Sequence, residues 1–104
     1  MILQVGPITL PVVFQDLTKE DLWGEFWPLP SPQIRVNDTL SEPIQALTIL
    51  HELIECIAEV YGLRLSEGDI RTLEMALAGV IKQNPKQTQN WLNMLMGAPN
   101  ADRT

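Results

Sequence analysis

Along this 104-residue chain the apolar positions follow two different periods, and the change falls near residue 38. Before it, short runs of β-branched and aromatic residues are separated by Gly, Pro and Asp. The runs ILQV (2–5), ITLPVVF (8–14), WGEFW (23–27) and QIRV (33–36) predict strands. Pro11 interrupts the second run, which places it at a sheet edge or in a bulge. The stiff stretch 28–32, PLPSP, joins the last two runs as a hairpin. After residue 38 the apolar period lengthens to three and four. Ser41 caps a helix with Pro43 in its first turn, Leu47, Leu50, Ile54, Ile57 and Tyr61 form its inner stripe, and Gly62 stops it. Ser66 and Asp69 form an S-x-x-D box opening a second helix, whose Ile70, Leu73, Leu77 and Val80 point inward before Asn84-Pro85 ends it. A short third helix from about Lys86 to Met96 presents Trp91, Leu92 and Leu95, which need a cover, either internal or from a second copy. The predicted class is α+β: a small antiparallel sheet of three or four strands, two long helices and a short C-terminal helix. Residues 1–97 form one domain and 98–104 a frayed tail.

Composition narrows what such a domain can do. A hydrophobic fraction of 45% suits a folded globule and argues against disorder. One cysteine, Cys56, cannot form an internal disulfide, and as a small thiol on a helix it is expected in the core. Reduced thiol, no apolar run of membrane length and no basic leader predict a soluble, cytoplasmic protein. The net charge of −6, with the seven basic residues scattered, speaks against direct nucleic-acid binding.

The chemistry concentrates in HELIE, residues 51–55. Residues four apart share one helix face, so His51 and Glu55 can reach a single ion, with Glu52 rotated by roughly 100° beside them. One imidazole with carboxylates can bind Zn²⁺. The added negative charge lowers the Lewis acidity of the ion and shifts preference toward harder ions such as Mn²⁺. A third ligand has to come from the second helix. Measured against the apolar stripe, which includes Ile81, Asp69 lies closest to the inward face, about 60° away, with Glu74 at about 80° and Glu67 at about 100°; Glu67 is the alternative because the register of a helix start is least fixed. Asp69 can also serve only as a helix cap, and the acidic residues of HELIE can serve only as the solvated face of a helix. A structural metal would require a fourth protein ligand, for which Cys56 and Glu59 are nearest.

The run TILHELIECIAEVYGLRLSEGDIRTLEMALAGVIKQNP, preceded by LWGEF and QIRV, resembles the small phage and prophage zincin-like metallopeptidases related to the ImmA/IrrE group, over about residues 22–85. The resemblance implies a minimal zincin-like fold with His51 as first metal ligand, Glu52 as catalytic base and Asp69 or Glu67 as third ligand. Zn²⁺ would be the cofactor and a peptide or regulatory protein the substrate, lying along an edge strand near residues 23–27. Position 55, where the family places a second histidine, holds Glu55. This departure leaves two functions open: a metal-dependent peptidase of weakened or lost activity, or an inactive zincin-fold module that binds a phage or host protein.

Overall fold

The computed structural model describes residues 1–97 and arranges them as β1 (Ile2–Val5), β2 (Ile8–Gln15), a 3-10 turn (Thr18–Glu20), β3 (Gly24–Trp27), β4 (Gln33–Asn37), α1 (Glu42–Tyr61), α2 (Glu67–Gln83) and α3 (Pro85–Leu95). The class is α+β, with four strands followed by two long helices and a short one. The expected tail, 98–104, lies outside the described residues. Backbone packing divides the chain into two compact units, Met1–Glu74 and Met75–Thr104. No helix among the described residues is long and apolar enough to cross a membrane.

The sheet has the order β1-β2-β4-β3 and is mixed rather than wholly antiparallel, because β2 and β4 run parallel. The β3–β4 hairpin forms as expected, with Glu25 opposite Arg35 and Phe26 opposite Ile34. Its inner member is β4, and burial explains why: Ile34 and Val36 are fully buried, whereas β3 offers the half-buried GEFW. The more apolar strand takes the centre, which sets it beside β2 in parallel and leaves β3 at the edge.

Although β2 is not an edge strand of the sheet, at Pro11 it pairs on one side only. The first half of β2 pairs with β1, from Val5↔Ile8 to Ile2↔Pro11, and the second half pairs with β4, from Val12↔Ile34 onward. Pro11 stands where the strand passes from one ladder to the other, the position at which a missing N–H costs least. The β1–β2 turn is closed by Gly6 at φ +55°, a left-handed conformation that suits glycine.

One sheet face carries the core. Val5, Leu10, Val12, Ile34 and Val36 meet Cys56, with Phe26, Ile49, Leu53, Ile57 and Val60 packed around them. Each fully buried aliphatic side chain here contributes about 1.5–3 kcal/mol. On the other face of β4, by the two-residue period of a strand, Arg35 ion-pairs with Glu20 at 2.6 Å and with Glu25, and lies 5.1 Å from the Trp27 ring. Phe26 packs against the core, while Trp23 and Trp27 are exposed.

Helix α1 packs on β3, β4 and β1. Of the predicted stripe, Ile54 is buried and Ile57 packs on the core while Tyr61 is exposed, and the line Thr48–Glu52–Cys56 is buried beside it. The close approach is visible at Gly24: a Cβ there would stand 2.4 Å from Thr48 Cγ2 and 2.7 Å from the Arg35 carbonyl oxygen. Gly62, at φ +69°, ends the helix in a Schellman motif with Leu63 N–H donating to Ala58 O at 2.8 Å.

The box that opens α2 is reciprocal. Ser66 N–H donates to Asp69 Oδ2 at 2.9 Å, and Asp69 N–H donates to Ser66 Oγ at 3.0 Å. Replacing Ser66 with alanine removes one of these bonds, and the expected loss is about 1 kcal/mol in a denaturation midpoint, with the helix content retained. Of the predicted inward stripe of α2, Ile70 is buried, but Leu73, Leu77 and Val80 are exposed, as are Trp91, Leu92 and Leu95 of α3. Met75, Met94 and Met96 are exposed too.

Candidate functional site

The position of Glu52 follows from the geometry of α1. Thr48 and Cys56, four residues to either side, abut the sheet, so Glu52 is carried under the helix and is only 6% exposed. Its Oε2 is buried without a hydrogen-bond partner. An orphaned carboxylate oxygen in such a place is costly unless a proton or a cation meets it. By helical arithmetic His51 and Glu55 both lie on the same flank of Glu52. One donor atom from each of His51, Glu52 and Glu55 falls within 4.8 Å of the others, the one such grouping among the described residues.

Two carboxylates of α2 complete the surroundings. Glu67 and Glu74 are seven residues apart and therefore share a face, and both reach His51: Glu67 Oε1 is 2.9 Å from Nε2 and Glu74 Oε1 is 2.7 Å from Nδ1. Glu55 Oε1 stands 3.8 Å from Nε2. A protonated ring donates from Nδ1 to Glu74 and from Nε2 to Glu67, whereas a neutral ring that keeps its proton on Nδ1 for Glu74 would turn the Nε2 lone pair toward a cation placed between Glu55 and Glu67. That is the arrangement in which a carboxylate orients a metal-binding histidine.

Asp69, the first sequence-based choice for third ligand, is not brought to this group. Its backbone and one carboxylate oxygen are engaged with Ser66 at the start of α2, and Glu67 stands beside His51 instead. The angle that favours Asp69 rests on Ile70, Leu73, Leu77, Val80 and Ile81, of which only Ile70 is buried, so the stripe does not define the inward face. Glu74, which the angle places nearer than Glu67 but which is not chosen as a ligand from sequence, also stands beside His51, and its seven-residue spacing from Glu67 is the signal that finds it. Cys56 and Glu59, the nearest candidates for a fourth ligand, do not join the group: Cys56 points into the core, and Glu59 is exposed.

The charges in the group oppose one another. Burial, and then the charge of Glu55, push the Glu52 carboxyl up to about 7, against a smaller downward pull from His51. Burial also raises Glu55, with Glu67 adding to it. His51 is pulled down by its burial, but Glu74, Glu52 and Glu55 together outweigh this and raise it. Cys56 is raised by burial and then by Glu59, and so stays a thiol.

Stability of the metal-free protein should therefore depend on pH. All three groups bind protons more tightly folded than unfolded, so their contribution is complete at acidic pH and is lost as pH rises. For Glu52 the loss runs from the ordinary carboxyl value of 4.5 up to about 7, and His51 extends it above 6.5. The expected decrease between pH 5 and pH 8 is on the order of 2 kcal/mol, read from urea unfolding at each pH. A bound divalent ion replaces those protons, so the stabilisation it gives should grow over the same interval.

No known family model, no curated protein sequence and no solved structure matches this chain.

Proposed function

We propose that the chain holds a divalent cation through His51, Glu55 and Glu67 and uses it as a metal-dependent hydrolase of the peptidase type, with Glu52 as the proton carrier. The observation that carries the reading is the convergence of His51, Glu52 and Glu55 beside an orphaned buried oxygen, with His51 oriented by Glu74. The donor set fits such an ion: one imidazole nitrogen and several carboxylate oxygens suit Zn²⁺ and, with this much negative charge, Mn²⁺. Among the described residues the ion pairs within the group all run through His51, so its four carboxylates share one cationic partner there.

A divalent ion supplies Lewis acidity toward a peptide carbonyl and toward water. Glu52 then has the task of a general base. Its carboxyl, raised to about 7, accepts a proton at neutral pH and can return it. As the water oxygen bonds to the carbonyl carbon, Glu52 takes the proton, and as the C–N bond breaks it delivers that proton to the departing amine. Glu74 fixes the His51 ring throughout. The substrate enters as an added strand along β3, whose outer edge pairs with no strand among the described residues and which packs on the helix that bears the site.

The experiment is hydrolysis of an unfolded protein substrate by the chain loaded with Zn²⁺ or Mn²⁺, followed by mass spectrometry of the products. Cleavage that a chelator abolishes supports the proposal. An ion bound stoichiometrically with no cleavage of any substrate refutes the enzymatic half of it. That outcome favours the second reading, an inactive module, for which Glu55 in place of a histidine is the supporting observation.

A further inference from the structure

Residues 75–97 have no core of their own. Not one of them is buried, and nine large apolar side chains among them are exposed. The exposure is patterned: Leu77, Val80 and Ile81 lie at three- and four-residue spacing on α2, and Trp91, Leu92 and Leu95 lie likewise on α3. The apolar surface left open by the nine amounts to roughly 1,000 Å², comparable with the ~800 Å² that each partner contributes to a stable interface. Surface on this scale in a monomer marks an interaction site.

Charge indicates the occupant. Residues 1–74 hold twelve acidic and four basic residues, a formal −8, whereas 75–97 hold Lys82 and Lys86 and no acidic residue, a formal +2. Two copies facing each other through their acidic parts would repel. A copy whose 75–97 segment lies on the acidic 1–74 part of the other is attracted instead, and a two-fold axis makes that contact twice.

We propose that the chain is a two-fold dimer in which segment 75–97 of each copy is covered by residues 1–74 of the other. Apolar burial supplies the affinity, and opposite charge sets which surfaces meet.

The test is sedimentation equilibrium of the full chain over a concentration series reaching above about 10 µM, where an interface of this size is populated. The expected mass is twice the 11.7 kDa of one chain. Leu77→Glu places a charge in the apolar stripe and should give a monomer with an unchanged circular dichroism spectrum, since Leu77 is exposed in the single chain. Trp91→Ser provides the same comparison should Leu77→Glu fail to fold. Lys82→Glu should raise the dissociation constant about tenfold. A wild-type chain that stays monomeric overturns the proposal, whether it is free in solution or sediments with anionic vesicles. So does a dimer that both apolar substitutions leave intact, or one whose dissociation constant Lys82→Glu does not change.

Discussion

Glu52→Gln is expected to lower hydrolysis by about 100- to 10,000-fold while the ion stays bound, the range over which a positioned general base contributes. The substitution keeps the shape of the side chain and removes its proton chemistry. Ion affinity separates this account from one in which Glu52 is itself a ligand. If it falls in parallel with turnover, Glu52 holds the metal. If it is maintained, Glu52 acts on the proton. The same change should stabilise the metal-free protein at pH 8 by on the order of 1–2 kcal/mol. At that pH the wild-type Glu52, raised to about 7, is ionised in a buried place beside Glu55, with one oxygen unpartnered. At pH 5 the wild-type group carries its proton, and the two proteins should be nearly equal. Urea unfolding at both pH values measures the difference. An unchanged stability at pH 8 would mean that the Glu52 charge is already compensated by something other than a metal.

Gly24→Ala should cost about 3 kcal/mol or more, at or beyond the upper end of overpacking. The added methyl would meet Thr48 Cγ2 on one side and the Arg35 carbonyl oxygen on the other, at 2.4 and 2.7 Å, and the second of these is backbone. Something has to move, and the movable part is the edge strand β3, held by one neighbour only. The expected consequence is a lowered thermal midpoint together with loss of any peptide binding along β3, while core residues far from this contact stay protected in hydrogen exchange. Thr48→Ser, which removes the clashing methyl, should recover part of the loss. Normal stability of Gly24→Ala would show that α1 does not sit this close to the hairpin.

Element type was readable from the sequence because local signals and tertiary packing agree over most of residues 1–74. The hairpin, the Ser66–Asp69 box and the Gly62 stop are fixed by short-range chemistry, and each forms where its residues stand. The parallel β2–β4 ladder was not readable. It depends on which arm of the β3–β4 hairpin docks on β2, a strand distant in sequence, and burial decides that in favour of β4. The site was half readable. His51, Glu52 and Glu55 come together because helix periodicity alone places them, whereas Glu67 and Glu74 required knowing which face of α2 turns toward α1. The apolar stripe of α2 misled on that point, since beyond Ile70 it is exposed. A stripe that serves another surface carries the same periodicity as one that serves the core.

The most direct test of the account is a calorimetric titration of the metal-free protein with Zn²⁺ and with Mn²⁺ at pH 8, alongside His51→Ala. The account predicts one ion per chain for the wild type, a thermal midpoint that rises with ion concentration, and neither effect in His51→Ala. A wild-type chain that takes up no ion and gains no stability would contradict it, and His51 would then be an ordinary protonated histidine held between Glu67 and Glu74.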